Sequence, residues 1–268
     1  MLSVRGGGVQ PRWYFWLCVT NRREWGRTAR RWRRLCGCVC CVKRASLTTL
    51  IVLAIVSVLE LAAVATGNAL LEHLTKPLLL PLLMVFVLVE VGWNAHPTIK
   101  FLVIGQFFSF LGDVALMLDG DLWFGIGILM FLVTHIFYLV GFFKLGAREG
   151  LRQRSWVLIA YPLLWLVANA ALWSGLGPLR IPIIVYSAFL VAMAMCSMSL
   201  GTLFGIGGAL FMFSDLMIGE TVAYGNFPGS GVAIMLTYIV GQTIIAWCWT
   251  QRVQEVPAAD GAVEPAVA

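Results

Sequence analysis

Long apolar stretches separated by short polar ones make up most of this chain. Eight segments each hold the roughly 20 mostly apolar residues that a helix needs to cross the hydrocarbon core of a bilayer. They are residues 47–66, 76–93, 98–118, 122–143, 156–174, 178–199, 203–219 and 230–250. A membrane β-barrel is excluded, because its strands would alternate apolar and polar residues. The pattern therefore predicts an all-α polytopic membrane protein.

Most of the predicted loops contain only a few residues, so successive helices must lie antiparallel in a single bundle of eight transmembrane helices. Composition agrees, because 60% hydrophobic residues and a mean hydropathy of +0.88 exceed what a soluble domain needs, and 12% charged residues is about half the usual share. We expect three parts: a basic cytoplasmic arm (1–46), the transmembrane domain (47–250) and a C-terminal tail (251–268). The arm is expected to be disordered or dispensable, and the tail is expected to be disordered.

Basic residues concentrate on one side of the predicted bundle. Residues 1–46 carry eleven of the 19 Lys and Arg residues, and the loop from Lys144 to Arg154 carries four more. Because such residues are retained on the cytoplasmic side, both termini are predicted to be cytoplasmic. The same rule and the attraction of anionic lipid head groups account for the basic arm without a nucleic-acid partner. The cysteines of the arm lack the paired spacing of a zinc site, and juxtamembrane acylation is the alternative. The cysteines of this cluster are Cys36, Cys38, Cys40 and Cys41.

Two aspartates lie inside otherwise apolar segments, Asp113 in the third and Asp215 in the seventh. An ionised carboxylate at bilayer depth costs about 2.5 to 3.5 kcal/mol, so such residues usually face a protein interior or a water-filled cavity. At 1.5 Å per residue, each lies about 7 Å from the non-cytoplasmic end of its predicted helix. The two carboxylates therefore share a level, and we interpret them as functional residues.

Other polar side chains lie at the same level or just below it. Gln106, Ser109 and Asp113 are three and four residues apart, which places them on one helix face. His135 and Tyr138 form a similar pair in the fourth segment. The remaining members are Tyr186, Tyr238 and Gln242. Together these side chains outline an amphipathic pocket, although Gln106, Ser109 and Gln242 taken singly are equally compatible with ordinary hydrogen bonds between helices.

Over residues 47–250 the chain resembles the YhhN-type lysoplasmalogenase family, whose motifs occur here in the same order. The matching positions are Ser109, Gly112, Asp113, Phe124, Gly127, Phe131, His135, Tyr138, Phe142, Gly208, Ala209, Phe211, Ser214, Asp215, Tyr238 and Gln242, preceded by Lys76 and Pro77 at the predicted opening of the second helix. The resemblance implies an eight-helix membrane enzyme that hydrolyses the vinyl ether bond of lysoplasmalogens. The products would be a fatty aldehyde and a glycerophospho-ethanolamine or glycerophosphocholine.

The resemblance also implies site residues. It makes Asp113 and Asp215 the catalytic pair. The other positions carried over, as substrate-site residues without assigned roles, are Lys76, Ser109, His135, Tyr138, Tyr186, Tyr238 and Gln242.

Vinyl ether hydrolysis suits paired carboxylates. A proton must reach the outer alkene carbon, and water then traps the oxocarbenium ion. One carboxyl group, kept protonated by apolar surroundings, can act as the general acid while the other, ionised, stabilises the cation and activates water. Glycosidases meet the same demand with two carboxylates. The residues leave open which aspartate has which role.

Two further residues are candidates for contacts with the substrate. Lys76 is predicted at the outer surface, where it would bind a phosphate or simply extend to the interface. Glu60, in the outer part of the first segment, adds a third acid to the site, is solvated through a cavity, or makes a hydrogen bond to a neighbouring helix.

Two other functional classes stay open. A metal-dependent membrane lipid hydrolase would need more histidines than His73, His96 and His135, the first two of which are predicted in loops, so we expect no cofactor. A proton-coupled small-molecule transporter would also use intramembrane acids, but the prolines lie near predicted helix ends, and unwound helices are not indicated. The expected partners are a lysophospholipid substrate and membrane lipids. The expected location is the plasma membrane in a bacterium or the endoplasmic reticulum in a eukaryote.

Overall fold

The computed structural model describes residues 44–255, which fold into helices joined by short turns. The α-helices are α1 (Arg44–Thr66), α2 (Ala69–Glu90), α3 (Pro97–Leu116), α4 (Asp121–Lys144), α5 (Ala147–Gln153), α6 (Val157–Leu172), α7 (Arg180–Leu200), α8 (Thr202–Tyr224) and α9 (Ser230–Glu255). No β-strand occurs in this range. The cysteine cluster, nearly all of the predicted arm and most of the predicted tail lie outside the described residues.

Seven of these helices are long and apolar enough to cross a membrane. The exception besides short α5 is α6, whose 16 residues extend about 24 Å, less than the roughly 30 Å of a hydrocarbon core. Helices α5 and α6 together pass as an eighth span but meet at an angle of 95°. The prediction of an all-helical chain with many apolar spans is confirmed, with seven or eight spans. The orientation of the termini stays a prediction.

The predicted start of the second span was wrong. Helix α2 begins at Ala69, where Asn68 caps it by accepting a hydrogen bond from the backbone N–H of Leu71 at 3.2 Å. Hydropathy placed the start at residue 76 because the first two turns carry charged side chains. Lys76 and Pro77 therefore lie inside the helix instead of at its opening.

Glycines bring α3 and α4 into close contact. A Cβ at Gly105 would lie 2.5 Å from a ring carbon of Tyr138, and a Cβ at Gly112 would lie 2.7 Å from a ring carbon of Phe131. Each glycine thus leaves the space that an aromatic ring of α4 fills. This packing aligns the polar face of α3 with the site described below.

Aromatic rings fill the middle of the described bundle. Phe142 and Phe204 pack around Trp249, whose indole N–H donates to Thr98 Oγ1 at 3.2 Å. Many large apolar side chains instead face outward, and Val58 on α1 is 66% exposed. Such a surface is suited to contact with lipid.

Candidate active site

Asp113 lies at the end of a hydrogen-bonded network that joins three helices. Its side chain is buried, and its Oδ2 accepts from the hydroxyl of Tyr238 on α9 at 2.7 Å. The Tyr238 hydroxyl also contacts Ser109 Oγ at 2.8 Å, and Gln242 Nε2 donates to the same serine at 3.0 Å. Tyr138 of α4 donates to Gln242 Oε1 at 2.8 Å. We call these five residues the Asp113 network.

The Asp113 network has one direction. Tyr138 donates to the carbonyl oxygen of Gln242, and the amide nitrogen of Gln242 can only donate to Ser109. Because Tyr238 uses its proton on Asp113, Ser109 must donate to Tyr238. Every donor therefore points toward the carboxylate of Asp113, an arrangement that favours negative charge there.

Asp215 on α8 belongs to a second, shorter network. Its Oδ2 accepts from the hydroxyl of Tyr186 on α7 at 2.5 Å. His135 Nε2 of α4 lies 3.1 Å from the Tyr186 hydroxyl and 3.7 Å from Asp215 Oδ2. The His135 ring is completely buried, and its Nδ1 has no hydrogen-bond partner among the described residues. We call these three residues the Asp215 network.

The two networks do not share a hydrogen bond, and aromatic rings lie between them. Phe131 and Phe211 make edge contacts with each other and with Tyr238, at centroid distances of 5.5 to 6.3 Å. The Phe211 ring also lies 5.2 Å from the His135 ring, so it contacts a member of each network. The structure thus brings both aspartates into one region of the bundle but gives each its own tyrosine donor.

Glu60 of α1 and Lys76 of α2 are two further charged residues of the predicted site. Glu60 is completely buried, and its Oε2 accepts from Thr75 Oγ1 at 2.5 Å. Its Oε1 has no hydrogen-bond partner within residues 44–255. Lys76 Nζ lies 3.8 Å from the carboxylate of Glu72, and both Glu60 and Lys76 are within Coulombic range of Asp113. Glu60 therefore makes the hydrogen bond between helices that the sequence left as one alternative.

Two polar residues differ from the expectation. Gln106, on the same face as Ser109, is completely buried, yet neither atom of its amide has a partner among the described residues. Thr75 was missed, because the predicted second helix began after it. Asn68, interpreted as an N-cap, would have started the second helix early enough to include Thr75.

Two hollows in the described part of the bundle lie beside Asp215. Both are lined by Ile183, Tyr186, Asp215 and Gly219, and neither is lined by Asp113. Asp215 is therefore the aspartate of the pair that borders these hollows.

Histidine placement was partly wrong. His73 lies within α2, whereas His96 caps α3 from the preceding loop, with its Nδ1 2.8 Å from Thr98 Oγ1. Among residues 44–255, no group of three or more His, Cys, Asp or Glu side chains has the geometry to hold a metal ion.

The chain is similar to proteins with assigned names. Residues 71–249 match the model of the YhhN family. The human lysoplasmalogenase TMEM86A is 32% identical over 165 residues, which cover 57% of this chain and 66% of that protein. The bovine lysoplasmalogenase TMEM86A is 32% identical over 164 residues, covering 56% and 65%. This chain thus spans just under two thirds of the length of these relatives. No solved structure matches it.

Proposed function

Because this chain belongs to the YhhN family, we propose that it is an ether hydrolase that cleaves the vinyl ether bond of lysoplasmalogens. The substrate is an alkenyl glycerophospho-ethanolamine or glycerophosphocholine, and the products are a fatty aldehyde and the glycerophospho-alcohol. The names of the two relatives support this reaction. The observation that carries it is a pair of carboxylates on separate helices, Asp113 buried and Asp215 partly buried, each accepting a hydrogen bond from a tyrosine.

In the proposed reaction one aspartic acid breaks its O–H bond as a C–H bond forms at the outer alkene carbon. The positive charge that develops is shared between the inner carbon and the ether oxygen. The other aspartate, ionised, stabilises this charge and takes a proton from the attacking water. In the resulting hemiacetal the C–O bond to the glycerol breaks as the glycerol oxygen takes the proton from the second carboxyl group. The hemiacetal hydroxyl gives its own proton back to the first carboxylate and becomes the aldehyde carbonyl. One water is consumed, and both carboxyl groups return to their starting state.

The two networks suit a reaction in which one carboxyl group is the acid and the other is ionised. Tyr238 and Tyr186 hold the carboxylates in fixed orientations, and the rings of Phe131 and Phe211 keep the region between them apolar. Electrostatic stabilisation of a developing cation is stronger where bulk water is excluded. His135, within reach of both Tyr186 and Asp215, supports the position of the Asp215 carboxylate.

Lys76 is the proposed binding residue for the phosphate. Its side chain is 14% exposed, and its ammonium group offers an anion a charge-assisted hydrogen bond. The competing Glu72 carboxylate is 3.8 Å away, and this pair is loose enough to open for a phosphate.

The test uses the purified full-length protein in vesicles with an alkenyl lysophospholipid and its acyl counterpart. Fatty aldehyde and fatty acid are scored separately by mass spectrometry. We expect aldehyde from the alkenyl substrate, and we expect Asp113→Asn and Asp215→Asn to lower its release by about 100-fold or more. Asp119→Asn, an exposed change in the loop after α3, is the matched control.

Three outcomes would contradict the proposal. Release of fatty acid without aldehyde would exclude vinyl ether hydrolysis. Turnover close to that of the unchanged protein in either aspartate variant would remove that residue from the reaction. Loss of activity in a chelator, restored by zinc, would favour a metal-dependent lipid hydrolase.

A further inference from the structure

The two hollows beside Asp215 extend in different directions. The outer hollow is lined by Leu116, Phe124, Ile128, Phe131 and Ile218, and it touches α7 only at Ile183 and Tyr186. The other, which we call the inner groove, continues along α7 to Leu190 and Val191. From Tyr186 to Val191 this is about 7 Å farther along the helix axis. The Tyr186–Asp215 pair therefore lies where a shorter hollow meets a longer one.

The inner groove has the shape of a channel between three helices. Its walls are Leu164, Ala168 and Leu172 of α6, Leu190 and Val191 of α7, and Met212 of α8. On α6, Leu172 lies eight residues after Leu164, or about 12 Å farther along the helix axis. The groove thus runs along the helices with Asp215 at its border and apolar side chains along its length.

Three polar side chains on the groove wall satisfy one another. The indole N–H of Trp165 donates to Ser187 Oγ at 2.9 Å, and Asn169 Nδ2 donates to the backbone oxygen of Trp165 at 2.9 Å. Their hydrogen-bonding groups are used within the wall. The groove therefore suits an apolar occupant, since it offers such an occupant no unpaired donor from this trio.

Helix α6 separates the groove from the outside. Leu163, Leu166 and Val167 on its other face are 57 to 59% exposed, as expected for contact with lipid. Helix α6 packs mainly on α7 and only slightly on α8, and the groove is partly open. A hydrocarbon chain could enter from the bilayer past α6. The cavity has a volume of about 60 Å³, so a long chain requires α6 to move outward.

We propose that the inner groove binds the single hydrocarbon chain of the lysophospholipid and thereby selects its length. This inference rests on the proposed function. In the substrate the vinyl ether bond joins the polar head to the apolar chain, and Tyr186 and Asp215 lie where the two hollows join. With the chain in the inner groove and the glycerol in the outer hollow, the alkene carbons lie beside the Asp215 carboxylate.

The test narrows the groove with Ala168→Phe, a change at a half-buried position of α6. The matched control is Val167→Phe, the same addition one residue earlier on the exposed face. Aldehyde release is measured for alkenyl lysophospholipids with chains of graded length. We expect Ala168→Phe to lower kcat/KM about tenfold for the longest chains and less than about twofold for the shortest. Val167→Phe should leave the profile unchanged.

A milder variant and a second readout keep the test decisive. Val191→Ala, at the far end of the groove, should shift the preference toward longer chains, and it applies if Ala168→Phe does not fold. An alkyl lysophospholipid with a photoreactive diazirine at the end of its chain should label α6 and α7 in the unchanged protein. Because this ether is not hydrolysed, labelling reports on the groove without the reaction.

The outcomes separate the two proposals. If the unchanged protein releases no aldehyde but α6 and α7 are labelled, the proposed function fails and the groove stands as a lipid site. If aldehyde is released while Ala168→Phe and Val191→Ala keep the original length profile, or while Val167→Phe shifts it equally, the groove proposal is overturned. Labelling confined to other helices would also overturn it.

Discussion

Replacing Tyr238 with phenylalanine removes one oxygen atom from the Asp113 network and leaves the ring. The ring contacts with Phe131 and Phe211, at 6.2 and 5.5 Å between centroids, remain possible. The lost hydroxyl is the donor to Asp113 at 2.7 Å and the partner of Ser109 at 2.8 Å. A single atom therefore tests whether the orientation of this carboxylate matters for the reaction.

The expected effect follows from the type of bond. A hydrogen bond to a charged group contributes about 1.5 to 3 kcal/mol, and about 1.4 kcal/mol corresponds to a tenfold change in rate. If the bond acts in the transition state, kcat for aldehyde release should fall about 10- to 150-fold. The unpaired Asp113 oxygen also lowers the free energy of unfolding, so thermal stability in detergent is measured on the same sample.

Two tyrosine variants are controls. Tyr138→Phe removes the first donor of the network, which is four hydrogen bonds from Asp113, and should reduce stability while leaving kcat within about threefold. Tyr161→Phe changes a buried tyrosine of α6 outside both networks. The reasoning is refuted if Tyr238→Phe keeps kcat within twofold, or if Tyr138→Phe lowers it as much as Tyr238→Phe does.

Two further predictions concern binding and packing. Lys76→Gln should raise KM about tenfold or more and change kcat little, because a charge-assisted contact with phosphate is lost. The control is Lys100→Gln, an exposed change at the start of α3. An equal rise in KM in this control would contradict a specific contact between Lys76 and the phosphate. Gly112→Ala should lower the free energy of unfolding by about 1 to 3 kcal/mol, because the added Cβ would overlap the Phe131 ring. Gly125→Ala is the control, because a Cβ at that position meets nothing within 4 Å. Equal melting temperatures for these two glycine variants would contradict the close packing of α3 on α4.

The sequence predicts the helices better than their ends. Continuous apolar runs are a direct signal of spans, because lipid requires apolar side chains along a whole helix. Helix ends depend on capping, which hydropathy does not register. Asn68 begins α2 well before the apolar run, and for that reason Thr75 and the true position of Lys76 were missed. The 16-residue length of α6 was likewise hidden by apolar residues that follow it.

The candidate site was predictable as a set of residues and not as a set of bonds. Spacing places Ser109 and Asp113 on one face of α3, and the structure shows them in one network. Which tyrosine bonds which aspartate depends on how helices rotate and approach one another. The sequence therefore did not predict that Tyr238 bonds to Asp113 and Tyr186 to Asp215; the packed bundle shows it. The inner groove left no signal in the sequence, since its walls are ordinary apolar residues.

Gln242 limits how protons can travel through this protein. Hydroxyl groups pass a proton along by accepting one and releasing another, but a carboxamide has no ionisable hydrogen to exchange in this way near neutral pH. The side chain of Gln242 stands between Tyr138 and Ser109, so it insulates Asp113 from α4. Hydrogen ions would then not be conducted through this route from one face of the bilayer to the other.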